Sequence, residues 1–124
     1  MAGKLRTPVF SENFIRNLDA IQSFLKPQGG RAFDDLLDRL VDEIVPMLRR
    51  YPQPGRLFLS HPIHSREGQL LLRKLKAKMK KGDDLREFVS EESLILYLLR
   101  GTRIIFLSIK HHRQLSFDLR RFWS

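Results

Sequence analysis

The residues with the most chemistry to offer lie near the end of the chain, where an apolar run gives way to Lys110-His111-His112-Arg113. Cleaving RNA through a neighbouring 2′-hydroxyl takes a base, an acid for the leaving oxygen, and cations for the charge on the phosphorane. His111, His112 and Arg113, with Arg103 or Arg100, are residues of those types and form the candidate catalytic set if the chain is a nuclease. Adjacent side chains on a strand point to opposite faces, so only one of the two imidazoles shares a face with a given neighbour. The same divergence argues against a metal held between them. The structural alternative has one histidine packed on a helix, the other solvated, and Arg113 paired with Asp118. His61 and His64 flank Pro62 with no third ligand nearby, which reads as a loop. Ser116, Asp118 and His112 superficially suggest a hydrolytic triad, but nothing resembles a nucleophile elbow.

A second candidate site is electrostatic. The chain has 23 Lys and Arg against 14 Asp and Glu, a net charge of +9 in 124 residues, which favours an anionic partner: nucleic acid, a membrane surface or an acidic protein. Arg73, Lys74, Lys76, Lys78, Lys80 and Lys81 crowd one predicted helix, and Arg100, Arg120 and Arg121 extend the candidate binding set. These cations are either a surface for phosphates or an acidic segment, or simply a solvated face. No aromatic residue is interleaved with the lysines, so stacking of single-stranded bases is not indicated. The chain contains no cysteine, which excludes disulfides and thiolate–zinc sites. No apolar run approaches the ~20 residues of a membrane span, and the N-terminus lacks the apolar core of a signal peptide. The expectation is a cytoplasmic protein without cofactor or metal.

These residues need elements to position them. A chain of this length supports one domain, residues 1–124, with a modest core. Pro8-Val9-Phe10 reads as the end of an edge strand, and Ser11 as the cap of a helix whose inward face is Phe14, Ile15, Leu18, Ile21, Phe24 and Leu25. Lys26 to Gly30 turns the chain into a second helix with the stripe Phe33, Leu36, Leu37, Leu40, Val41, Ile44, Val45 and Leu48. Pro46 interrupts that helix and predicts a kink or a tightened last turn. Tyr51-Pro52-Gln53-Pro54-Gly55 stops it. Leu57-Phe58-Leu59 is either a strand fragment or an ordered loop, and Ser65 to Lys81 reads as a third, basic helix. Leu85 to Val89, Ser93 to Arg100 and Arg103 to Lys110 are then strands, the last two joined by Gly101-Thr102 as a type II′ hairpin. Phe122 and Trp123 are expected to anchor the tail on the domain. Helices followed by strands predict an α+β fold: a helical hairpin packed on a small antiparallel sheet of three to four strands, with an extra basic helix.

Several stretches together resemble the RelE/ParE superfamily of bacterial type II toxins. They are the helical hairpin ending in Tyr51 to Arg56, then Leu85-Arg86-Glu87-Phe88, Leu94-Ile95-Leu96-Tyr97, Arg103 to Ile109 and His111-His112-Arg113. The resemblance runs from about Val9 to Asp118 and is most specific in the strand pair closing on a histidine-rich basic end. It implies a cytoplasmic toxin of a toxin–antitoxin (plasmid stabilisation) module, paired with a cognate antitoxin whose disordered segment wraps it. Two targets follow from it: ParE-like members inhibit DNA gyrase, and RelE-like members cleave mRNA in the ribosome without a metal. RelE-like nucleases usually carry an arginine three residues before the strand tyrosine, where this chain has Leu94. Many also place a tyrosine or histidine acid near the C-terminal end, which corresponds to Phe117 or to His111 or His112. The stretch from Phe58 to Lys81 is longer than the family core needs. The departure at Leu94 favours a ParE-like binding toxin over the RelE-like interferase.

Overall fold

The computed structural model describes residues 5–52, 56–57, 70, 73–74 and 77–112. The order is strand β1 (Thr7–Phe10), helix α1 (Glu12–Leu25), helix α2 (Gly30–Arg39), helix α3 (Val45–Arg50), then β2 (Arg56–Leu57), β3 (Asp84–Val89), β4 (Ser93–Arg100) and β5 (Arg103–His111). The α+β class and the helical hairpin ahead of the strand meander are as the sequence predicts. The five strands form one sheet in the order β1-β5-β4-β3-β2. β3, β4 and β5 are an antiparallel meander, and β2 adds antiparallel to β3. β1 instead runs parallel to β5, with Thr7 opposite Arg103 and Phe10 opposite Phe106, so the sheet is mixed. A parallel neighbour needs a long crossover, which the helices and β2 to β4 provide.

Gly101 adopts φ of 57°, and among the described residues no other type of residue has positive φ, the pattern of a type II′ turn. Ser11 caps α1 by accepting from the Phe14 N–H at 3.0 Å. Its hydroxyl also donates to the Leu107 carbonyl at 3.1 Å, so one side chain ends the loop and docks the helix on β5. The second helical segment continues through a π-helical stretch, Leu40–Ile44, before α3. Pro46 explains it: a proline has no N–H for the carbonyl four residues back, and its ring collides with that carbonyl in a regular helix. The turn before it widens rather than tightens, and the Val45 N–H reaches the Leu40 carbonyl. The extra residue shifts the phase of the stripe. Leu40, Ile44, Val45 and Leu48 stay buried, while Val41, expected inward, is 57% exposed. Ile15 on α1 is likewise exposed.

Two apolar layers result. Phe14, Ile21, Leu25, Leu36 and Leu48 from the helices meet Ile95, Tyr97, Ile104, Phe106 and Ile109 on one face of the sheet. Burying side chains of this size contributes about 1.5–3 kcal/mol each. On the other face Leu85, Leu96, Leu98 and Leu107 are buried as a second cluster, with Met79 and Ile105 against it. Between the layers β5 carries a register shift opposite Leu96/Tyr97, a bulge that leaves backbone groups outside the ladder. Three side chains of α1 and its cap satisfy them. Asn13 Nδ2 donates to the Leu107 carbonyl at 2.8 Å alongside Ser11, and Asn17 Oδ1 accepts from the Ile109 N–H at 3.1 Å and the Ser108 hydroxyl at 3.0 Å. Asn17 lies in the inward stripe and is buried. Replacing Asn17 with Ala leaves that N–H and hydroxyl buried without their acceptor, and is expected to cost about 1–3 kcal/mol. Urea denaturation measures it, and an unchanged midpoint with unchanged slope would refute the role given to Asn17.

Candidate functional site

β5 carries the candidate groups at its two ends. At its start Arg103 faces Arg100 across the hairpin turn, and at its finish His111 pairs in register with Ser93. Eight residues of strand at about 3.3 Å each separate Arg103 from His111 by roughly 26 Å. The structure therefore brings Arg103 and Arg100 together but keeps both from the histidines. Arg113, Lys76, Arg120 and Arg121 lie outside the described residues, as do His61, His64, Ser116, Asp118, Phe122, Trp123 and most of the basic helix expected over Ser65 to Lys81.

At the histidine end both imidazoles are half-buried. The His111 ring lies 6.4 Å from the Phe24 ring of α1, centroid to centroid. His112 closes the β3–β4 turn onto the end of β5. Its N–H donates to the Glu92 carbonyl at 2.9 Å, and Nε2 stands 2.7 Å from the Ser90 carbonyl oxygen. A carbonyl oxygen only accepts, so Nε2 carries a proton and is engaged as a donor. Ser90 in turn accepts at its hydroxyl from the Ser93 N–H at 3.0 Å, and Arg39 of α2 forms an ion pair with Glu92. Tyr97, the strand tyrosine of the resemblance, is fully buried, and its hydroxyl donates to the Pro52 carbonyl at 2.6 Å. It ties the loop after α3 to the centre of the sheet. Leu94 is half-buried opposite Lys110. Position 94 is thus a leucine and not an arginine.

The opposite end is cationic. Arg100 is clamped by Asp83 through two bonds, Nε to Oδ1 at 2.9 Å and Nη2 to Oδ2 at 2.7 Å. Arg103, Lys78, Lys80 and Lys81 are exposed there, as are Arg73 and Lys74 in the preceding stretch. Parallel pairing of β1 brings in two arginines that sequence reasoning left out of the site. Arg6 donates from Nη1 to the Gly101 carbonyl at 2.5 Å, and Arg49 at the end of α3 donates from Nε to the Arg6 carbonyl at 2.9 Å. Arg6 sits 95 residues before Gly101 in the chain, and only the β1–β5 register could have revealed it. Asp84 is taken by Arg86 at 2.8 Å.

Among the described residues no cluster of three or more His, Cys, Asp or Glu could hold a metal ion, and no helix is long and apolar enough to cross a membrane. No protein-family model matches the chain, and no curated protein is significantly similar to it.

The Arg100 guanidinium, helped by the Lys80 N–H, holds the Asp83 carboxyl down from 3.8 to about 2. A carboxyl that ionises more readily when folded supports the fold fully above about pH 4, and that support is lost as the pH falls through about 2. Asp83→Asn is expected to flatten the acid-unfolding curve between about pH 4 and 2, followed by far-ultraviolet circular dichroism. Superimposable curves for the two chains would refute the assignment.

Proposed function

We propose that the chain is a ParE-like toxin of a type II toxin–antitoxin module, acting in the cytoplasm by binding DNA gyrase and neutralised by a cognate antitoxin. The observation that carries a binding role over a catalytic one is the separation along β5: Arg103 stands at one end and His111 and His112 at the other. General acid–base cleavage needs its groups within hydrogen-bond reach of the same phosphate. A gap of roughly 26 Å rules out one centre built from both ends. Three further features support the reading. His112 Nε2 is spent on the Ser90 carbonyl, Tyr97 is buried on Pro52, and Leu94 stands where a RelE-like nuclease carries arginine. The helical hairpin packed on the strand meander accords with the stretches that carry the family resemblance.

Purified chain added in excess is expected to inhibit supercoiling of relaxed plasmid by gyrase, with translated messages left intact in cells that express it. Gyrase activity untouched at high excess would overturn the proposal. Discrete cuts in translated messages, mapped by primer extension, would replace it with the RelE-like interferase.

A further inference from the structure

The charge of this protein is divided in space. Residues 12–43 hold seven of its 14 carboxylates, with Asp34, Asp35, Asp38, Asp42 and Glu43 on the second helical segment, against only four cations. The positive excess lies elsewhere, and its described part collects where four strand termini end side by side. The starts of β1, β5 and β3 and the finish of β4 form that edge, in the spatial order β1-β5-β4-β3.

We infer that this edge, built from Arg6, Arg49, Arg103, Lys78, Lys80 and Lys81, binds the phosphate backbone of duplex DNA. The local carboxylates do not cancel these cations, because Asp83 is committed to Arg100 and Asp84 to Arg86. Among the described residues none of the six makes an ion pair. Two are held in place by the backbone: Arg6 on the Gly101 carbonyl and Arg49 on the Arg6 carbonyl. Pre-positioned guanidiniums bind phosphate without first losing their freedom.

Size and composition select the partner. Neighbouring strands stand about 4.8 Å apart, so the four termini span about 14 Å. That is close to the ~12 Å width of the B-DNA major groove, and it lets the two ends of the row reach phosphates on opposite strands. The major groove of A-form RNA is too narrow to offer the same spacing. Protein interfaces are depleted of lysine and anchored by aromatic side chains, whereas three of these six residues are lysines and none is aromatic. Contacts of this kind position a protein on the duplex without reading its sequence. Nothing in the inference depends on the gyrase reading, since it concerns naked duplex.

The test is fluorescence anisotropy of a short labelled DNA duplex over a series of potassium chloride concentrations. It compares the parent chain with two triple variants of equal net charge. One, Lys80→Gln, Lys81→Gln and Arg103→Gln, alters the edge; the other, Arg16→Gln, Lys26→Gln and Arg31→Gln, alters the helices. All six positions are exposed, and circular dichroism checks that each variant folds. The parent is expected to bind with a steep salt dependence. The edge variant should bind about tenfold or more weakly and lose about 2 to 3 from the log–log slope, while the helix variant stays near the parent. Equal weakening of both variants would reduce the effect to net charge and overturn the assignment. So would no binding at low salt, stronger binding of an RNA duplex, or displacement by polyglutamate but not by unlabelled DNA.

Discussion

The bulge in β5 at Leu107 and Ser108 is the constraint from which the rest of the structure follows. An extra residue in a buried strand leaves donors and acceptors without ladder partners, and each would cost about 1–3 kcal/mol if abandoned. Ser11, Asn13 and Asn17 meet them from one helix and its cap, which allows α1 a single seat on the sheet. Ser11 directly follows the last residue of β1, so seating the helix also sets the strand. β1 lies along β5, Phe10 stacks on Phe106 with ring centroids 5.1 Å apart, and Arg6 arrives at Gly101.

A sheet fixed in this way separates functions by length. Hydrogen bonds from buried or half-buried side chains fasten its histidine end and centre. His112 ties the β3–β4 turn to β5, and Tyr97 ties the end of the helical hairpin to β4. Its other end displays exposed and backbone-held cations, with Asp83 pinned to Arg100 and Asp84 to Arg86. His112 and Tyr97 are thus occupied with holding the fold, and the cations exposed at the other end suit binding through charge. The proposed binding role needs the second kind of surface and not the first.

Much of this was legible in the sequence because the relevant signals were local. The cap at Ser11, the break at Tyr51 and Pro52, the Gly101 turn and the three meander strands each rest on a residue type with a direct backbone consequence. What escaped reading was non-local. Four residues, Thr7 to Phe10, carry too little pattern to announce a parallel partner nearly a hundred residues away, so Arg6 was not placed in the site. Pro46 announced a disturbance in the helix but not its sense, and the widened turn put Val41 outside the core. Asn17 lies among the inward residues of α1, and the bulge that needs it is on another element, β5. Arg103 and His111 share one nine-residue strand, and strand length alone sets them at opposite ends of it, against the expectation of one catalytic set.

The most direct test of the binding account replaces both imidazoles, His111→Gln with His112→Gln, and measures growth of a bacterium induced to express the parent or the variant. Circular dichroism of the purified variant establishes that it folds. Arrest of growth by both chains is the predicted result, since histidines that only hold the strand end are dispensable to a surface roughly 26 Å away. A folded variant that no longer arrests growth, expressed beside a parent that cuts translated messages, would contradict it and place the chemistry at the end of β5.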